Sequence, residues 1–181
     1  MTLTDCMKEF ILHWGEMGTR WGVNRTVAQV HALLYLSSES LTAEEIAEAL
    51  SVARSNVSTS LKELQNWGLI EVDSRIGDRR DYFRTSSDVW TLFLTVVEQR
   101  VEREIVPTMR VLERLTGEAR AERQGQPVVA TRIAALEVFM RELHGWYSQV
   151  KKLPPATLQS VIRIGSGITR ILPTRRRRRL D

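Results

Sequence analysis

The chain has 181 residues, of which 43% are hydrophobic and 27% are charged, a composition typical of a soluble globular protein of about one and a half domains. Its single cysteine, Cys6, excludes an internal disulfide framework and fits a reducing cytosol. We find neither a signal-peptide pattern nor an apolar run of the roughly 20 residues that cross a bilayer. We therefore expect a cytoplasmic protein without stable membrane insertion.

The net charge of +4 is concentrated at one end of the chain. Arg175 to Arg179 contribute +5 and Asp181 contributes −1, which leaves 21 cations and 21 carboxylates in residues 1–174. Residues 24–84 sum to −2. Bulk charge therefore does not indicate nucleic-acid binding outside the tail, and only an uneven placement of charge on one face could.

Two amphipathic helices are predicted first, over residues 3–18 and 25–36. Their apolar side chains recur at helical spacing: Met7, Phe10, Ile11 and Trp14 in the first, and Val27, Val30, Leu33 and Leu34 in the second.

A helix-turn-helix follows these two helices. Thr42 and Glu45 form a capping box that opens a short helix to about Leu50. A tight turn near Ser51 then leads into a second helix. The buried face of that helix is marked by Val57, Leu61 and Leu64, at the i, i+4, i+7 spacing. Two short helices joined by about three residues are typical of this motif.

The outer face of the second helix consists of hydroxyls, amides and a few cations. An ordinary solvated helix would normally carry more Glu and Lys, whereas these side chains suit the base edges and phosphates of a major groove. We therefore predict a DNA-recognition helix. Its predicted contacts are Arg54, Ser55, Asn56, Ser58, Thr59 and Lys62.

A β-hairpin is predicted after this helix. Gly68 suits the left-handed residue that ends a helix, and residues 69–72 and 82–85 are predicted to be strands. The turn between them is rich in arginine, which can contact phosphates or enter a minor groove. The predicted wing contacts are Arg75, Arg79 and Arg80, although the neighbouring carboxylates leave a plain solvated turn as the alternative.

Long helices are predicted in the second half. One starts after Ser87 and is expected to kink at Pro107, and residues 116–127 are predicted to be a loop. The last long helix, residues 128–151, has a heptad seam of the kind that packs at a shallow angle. The seam consists of Val129, Ile133, Leu136, Met140, Leu143, Tyr147 and Val150. A weaker amphipathic helix is predicted over residues 157–172, before the arginine tail.

These elements predict a mainly α fold with a small β-hairpin: a winged helix-turn-helix plus a helical dimerisation region. We divide the chain into an N-terminal helix that joins the dimerisation region (1–22), a winged helix-turn-helix domain (23–86), long helices of a dimer interface (87–151) and a C-terminal segment with a disordered basic tail (152–181). A homodimer would read two half-sites about one helical turn apart, which a monomer cannot do.

The order of these elements resembles the MarR-type winged-helix regulators. The stretches Trp21–Thr26, Ala53–Leu64 and Gly77–Phe83 are similar to the GbsR branch, and the resemblance covers about residues 8–150. It implies a homodimeric prokaryotic transcription factor that binds double-stranded DNA, usually as a repressor. Genes controlled in the GbsR branch often concern choline and glycine betaine, which implies choline as a candidate effector.

A quaternary ammonium effector would be held by aromatic faces, each contact contributing about 0.5–2 kcal/mol. The candidates are Trp14, Trp21, Trp90, Trp146 and Tyr147. The alternative is that these rings belong to the core, as aromatic residues on apolar helix faces usually do.

No other chemistry is indicated. Glu9, His13 and Glu16 share a helix face, but without a cysteine partner we expect no metal site. Nothing resembles a base beside an oriented nucleophile, so we expect neither an enzyme nor a cofactor. Two other classes remain open: a sequence-tolerant architectural DNA-binding protein that acts through the arginine tail, and a membrane-surface adaptor that uses this tail with residues 162–172.

Overall fold

A computed structural model describes residues 2–121 and 127–168, and the chain divides into two compact units, Met1–Gln99 and Arg100–Asp181. The first unit contains α1 (Asp5–Arg20), α2 (Arg25–Leu36), β1 (Leu41–Thr42), α3 (Ala43–Leu50), α4 (Arg54–Asn66), β2 (Ile70–Ser74), β3 (Asp81–Thr85) and α5 (Val89–Arg100). The second contains a π-helical turn (Val101–Ile105), α6 (Val106–Ala121), α7 (Pro127–Val150) and α8 (Pro155–Ile168). Within the described ranges, none of the helices has the length and apolarity needed to cross a bilayer.

The core of the first unit surrounds α2. Aliphatic side chains from three helices are fully buried there: Val30 and Leu33 of α2, Ile46 of α3, and Val57 and Leu64 of α4. Burying each such side chain contributes about 1.5–3 kcal/mol, so this cluster sets how the helices pack. The apolar spacing predicted for α2 and α4 is confirmed by this burial.

Two glycines bring α1 close to α2. A Cβ atom at Gly18 would lie 2.5 Å from the Cβ of Ala28, and one at Gly15 would lie 2.8 Å from Cγ of Gln29. The helix extends to Arg20, two residues beyond its predicted end. Thr4 caps its start by accepting a hydrogen bond from the Met7 amide. The structure therefore groups α1 with the first unit, and the prediction that residues 1–22 join a dimer interface stays a prediction.

The helix-turn-helix forms as the sequence predicts. The Thr42 hydroxyl oxygen accepts from the Glu45 amide at 3.3 Å, and the Thr42 amide donates to the Glu45 carboxylate at 2.7 Å. Ser51 adopts a left-handed backbone, with φ of 53°, and reverses the chain between α3 and α4. Both the capping box and the turn are confirmed.

The sheet has one strand more than the predicted hairpin. Its antiparallel order is β1-β3-β2, with Leu41 opposite Phe83 and Thr42 opposite Tyr82. A strand of two residues shows no alternation, so the sequence does not indicate β1. Gly68 is left-handed, with φ of 68°, and ends α4 as predicted.

The second unit corrects one prediction. A loop was predicted over residues 116–127. This prediction is wrong for residues 116–121, which continue α6, and for Pro127, which begins α7. Residues 122–126 lie outside the described part of the chain. Gly117 costs a helix about 1 kcal/mol. Burial of Leu112 on the same helix offsets that cost, whereas the buried Thr116 hydroxyl has no hydrogen-bond partner among the described residues. Proline at the first position of a helix is favourable, since its missing amide would lack a partner there.

The distortion expected at Pro107 takes the form of a π-helical turn over Val101–Ile105. Proline has no amide to donate to residue 103 and its ring crowds that carbonyl, which the wider turn relieves.

Only part of the heptad seam of α7 is buried. Tyr147 is buried and Ile133 and Met140 are half-buried, whereas Leu136 and Leu143 are exposed. The helix α8 begins at Pro155 and is described to Ile168, so the predicted end at residue 172 and the arginine tail lie outside the described residues.

One buried histidine links α2 to the sheet. His31 is 9% exposed and its Nε2 lies 3.3 Å from the Thr85 hydroxyl, which donates to the Leu69 carbonyl at 2.6 Å. Because that hydroxyl proton is already used, a hydrogen bond from His31 requires a proton on Nε2. Burial lowers the pKa of His31 to about 4, so the ring is neutral near neutral pH.

His31 should make the stability of the first unit depend on pH. The unfolded chain binds a proton near pH 6.5 and the folded chain only near 4, so the unfolded state binds more protons between these values. The free energy of unfolding should therefore fall as pH drops through this window, by at most about 1.4 kcal/mol per unit. Urea unfolding at several pH values measures this slope. His31→Gln should flatten it and His13→Gln, at an exposed position, should not; equal slopes in both variants would refute the assignment.

Candidate nucleic-acid interface

The helix α4 presents a polar face to solvent because its apolar face is buried. Val57, Leu61 and Leu64 are at most 2% exposed. The opposite face is open in the structure: Arg54, Ser55, Asn56, Thr59 and Lys62 are exposed, and Ser58 is half-buried. All six recognition-helix residues predicted from sequence thus lie where a groove of DNA could reach them.

The first turn of α4 suits an anion. Its N-cap residue, Ala53, has no side chain that could accept a hydrogen bond from the first amides. Amides of a first helical turn lack intrahelical acceptors and lie at the positive end of the helix dipole. This end of the helix can therefore receive a phosphate oxygen.

The hydroxyl of Thr59 has a defined hydrogen-bonding role. It donates to the Ser55 carbonyl at 3.0 Å, one helical turn earlier. With the proton used in this way, Thr59 offers solvent an acceptor oxygen and a methyl group. In a major groove, the oxygen could accept from the amino group of adenine or cytosine, and the methyl group could contact the thymine methyl.

The tip of the wing is held together by Asp78. Its carboxylate accepts from the Arg80 guanidinium at 2.6 Å, from the Arg80 amide at 3.0 Å and from the Tyr82 hydroxyl at 2.7 Å. The bonds from Arg80 hold the pKa of Asp78 well below its usual range, and the bond to Asp78 raises the pKa of Tyr82. The wing therefore has an internal scaffold.

The three predicted wing arginines have different surroundings. Arg80 is bound to Asp78, so its charge is largely compensated. The Arg75 guanidinium carbon lies 3.8 Å from the centre of the Tyr82 ring, and its Nη2 is 3.5 Å from the Ser40 hydroxyl. Arg79 is exposed and makes no ion pair with any residue that the structure describes. Arg79 thus differs from Arg80 in that no carboxylate among the described residues compensates its charge.

A cleft of about 370 Å³ separates α4 from the wing. Its wall carries the cations Arg54, Lys62, Arg79 and Arg80 and the carboxylates Glu44 and Asp81. The apolar residues of the wall are Leu61, Val72 and Phe83, and its small or uncharged polar residues are Ala43, Ser58 and Gln65. The cleft therefore has a net positive wall, although residues 24–84 together are acidic.

The cleft joins some predicted residues and leaves others apart. It brings Arg54, Ser58 and Lys62 of α4 to the same surface as Arg79 and Arg80 of the wing. The remaining predicted contacts, Ser55, Asn56, Thr59 and Arg75, are not in its wall.

Sequence reasoning missed Gln65 and Glu44 in this cleft. Ser58, Lys62 and Gln65 follow the i, i+4, i+7 spacing, so Gln65 could have been found from the helical wheel. Glu44 forms an ion pair with Arg54, with 2.5 Å between Oε1 and Nη2. This contact joins two helices, and no sequence spacing indicates it.

The five aromatic effector candidates are divided between the two units. Trp14 stacks on Phe10 with ring centroids 5.4 Å apart, and Trp90 meets the Phe93 ring edge at 6.1 Å. Trp21 is 57% exposed, and in the second unit Trp146 is exposed whereas Tyr147 is buried. A larger cavity of about 580 Å³ near the end of α1 has no tryptophan in its wall, and neither has the cleft. The aromatic effector site stays a prediction.

The predicted carboxylate and histidine face of α1 forms no metal cluster. Among the residues that the structure describes, no group of three His, Cys, Asp or Glu side chains could hold a metal ion, Glu9, His13 and Glu16 included.

The fold and the cleft together define a winged-helix protein: a helix-turn-helix backed by a three-stranded sheet whose hairpin carries arginine. Residues 21–81 match the model of the MarR family. The HTH-type transcriptional repressor GbsR of Bacillus subtilis (strain 168) is 26% identical over 93 residues, which cover 51% of each chain. The match thus spans about half the length of this relative.

A crystal structure of a transcriptional regulator has the same fold. It superposes with a TM-score of 0.65 at 22% identity, covering 81% of this chain and 95% of the other. This likeness shows that the chain has a winged-helix fold, and in sequence residues 21–81 are similar to the MarR family and 93 residues to the repressor GbsR.

The scaffold of the wing can be tested by titrating Tyr82. Replacing Asp78 with Asn removes the negative charge that retains the phenolic proton, so Asp78→Asn should lower the pKa of Tyr82 towards that of a free tyrosine. Phenolate absorbance measures the titration, and Tyr82→Phe in each background subtracts the other tyrosines. An unchanged pKa in the Asn variant would contradict the arrangement described above.

Proposed function

We propose that the chain is a homodimeric, sequence-specific DNA-binding transcriptional regulator that acts as a repressor. The observation that carries this proposal is the open polar face of α4 beside the positive wall of the cleft. Base edges specify sequence and phosphates fix position, and this surface offers groups for both. A relative that is named a transcriptional repressor, and that is 26% identical over 93 residues, supports the proposal.

Each part of the surface has a role in the proposal. Ser55, Asn56 and Thr59 on the open face of α4 would contact base edges in the major groove. Lys62 and Arg79, on opposite walls of the cleft, would bind phosphates of the backbone between helix and wing. Arg75 and Arg80, held by Tyr82 and Asp78, would keep the wing rigid while it lies against DNA.

The homodimer is supported by an exposed apolar stripe on α7. Leu136, Phe139, Leu143 and Trp146 follow one another at spacings of three and four residues and are 41 to 63% exposed. Monomeric proteins seldom leave such a contiguous stripe in water. A second copy of α7 would cover it, and two copies of α4 would then read two half-sites.

We propose further that a small effector releases the dimer from DNA. The GbsR-like sequence favours a quaternary ammonium such as choline, and the candidates for its site are Trp14, Trp21, Trp90, Trp146 and Tyr147. Such a ligand acts only if it binds two arrangements of the dimer with different affinities.

The deciding experiment is a footprint on the DNA upstream of the protein's own gene. The wild type should protect a two-fold symmetric site, with half-sites about one helical turn apart. A variant that ends at residue 174 should protect the same site, because the arginine tail has no role in the proposed readout. Absence of a preferred site, or its loss with the tail, would instead support an architectural protein. A footprint that choline leaves unchanged would remove the effector and keep the regulator.

Lys62 and Arg79 should each contribute to the salt dependence of binding. Lys62→Ala and Arg79→Ala should each reduce the slope of log K against log salt by about 0.9, the value for one phosphate contact. Fluorescence anisotropy with the footprinted duplex measures the slope. Arg20→Ala is the matched control, since it removes an exposed cation at the end of α1. Slopes equal to that of the control would exclude these two phosphate contacts.

The apolar stripe should hold the dimer together. The double variant Leu136→Glu/Leu143→Glu places two carboxylates in the proposed interface and should sediment as a monomer in analytical ultracentrifugation. Gln149→Glu, which adds one carboxylate at an exposed polar position of α7, should stay dimeric. If the double variant remains dimeric, the interface lies elsewhere.

A further inference from the structure

The ion pair between Glu44 and Arg54 joins the two helices of the helix-turn-helix at their first turns. Glu44 lies in the first turn of α3 and Arg54 is the first residue of α4, with 2.5 Å between Oε1 and Nη2. Both side chains are in the wall of the cleft and both are partly open to water, at 47% and 69% exposed. Such a pair adds little to folding stability.

A carboxylate at this place opposes the charge of its surroundings. The cleft wall has four cations, and Glu44 compensates the one at the start of the recognition helix. A surface that only needed to attract phosphates would bind them better without this carboxylate, because phosphate attraction depends on uncompensated cations. The helix dipole favours a carboxylate in the first turn of α3, and the contact of Glu44 with Arg54 calls for a second explanation.

The geometry of arginine supplies one. The guanidinium has five donors in a fixed plane, and the ion pair with Glu44 lies at Nη2. The donors that remain can form a bidentate contact with O6 and N7 of a guanine while the ion pair persists. A phosphate, in contrast, attracts Arg54 through net charge, and Glu44 cancels most of that charge.

We infer that Glu44 is a specificity-determining residue, which restrains Arg54 from phosphates and reserves it for a guanine base edge. The inference rests on the proposed function, because it assumes that α4 lies in a major groove. In this inference Glu44 does not contact DNA. It acts only through its ion pair with Arg54. Specificity is a ratio of affinities, and Glu44 increases that ratio by weakening binding to the wrong sequences.

The test compares Glu44→Gln with Glu48→Gln. Both variants remove one negative charge from α3, but Glu48 is outside the cleft wall and makes no ion pair among the described residues. On a random-sequence duplex, Glu44→Gln should bind about fivefold more tightly at low salt, with a salt slope steeper by about 0.9, as for one added phosphate contact. Its affinity for the footprinted site should rise less, so the ratio of the two affinities should fall.

A double-variant cycle separates this role from a general change of charge. In an Arg54→Ala background, Glu44→Gln should no longer increase affinity for random DNA beyond the increase seen with Glu48→Gln. Thermal unfolding followed by circular dichroism checks that each variant is folded. Equal behaviour of Glu44→Gln and Glu48→Gln, or an effect of Glu44→Gln that persists without Arg54, would overturn the inference.

The two proposals fail in different ways. A wild type without any preferred site refutes the proposed function, and the random-duplex comparison still measures whether Glu44 restrains Arg54. A wild type with a preferred site, together with identical Glu44→Gln and Glu48→Gln variants, refutes only the role of Glu44.

Discussion

Burial of one face of α4 against α2 is the constraint on which the rest of this molecule depends. Val57 and Leu64 are enclosed with Val30 and Leu33, so α4 cannot rotate without exposing them. This packing fixes which side chains face outward, and those include short hydroxyls, amides and two cations. The packing of the core thus determines the candidate site, since α4 supplies both the buried apolar face and the exposed polar face.

The sequence predicts the elements better than their contacts. Helical spacing identified the buried residues of α2 and α4, and the capping box placed the start of α3 correctly, because these signals are local. The strand β1 is too short to show alternation and depends on its pairing with β3. The end of α6 was missed because tertiary burial of Leu112 offsets the local effect of Gly117.

For the candidate site, too, the residues could be predicted better than their contacts. The exposed positions of α4 and the arginines of the wing could be named from the sequence, since residue type and helical spacing suffice. The partners that modify those residues could not, because the Asp78 scaffold and the contact between Glu44 and Arg54 exist only in three dimensions. As a result, arginines that look equivalent in the sequence differ in effective charge: Arg79 keeps its own, while Arg54 and Arg80 share theirs with carboxylates.

The position of Thr42 couples the two parts of the winged domain. This residue pairs with Tyr82 in the sheet and also caps α3. A single backbone segment therefore belongs to both the sheet and the helix-turn-helix. A tilt of the hairpin would therefore also disturb the cap of α3. In the proposed complex with DNA, the recognition helix and the wing should consequently move together as one stiff body.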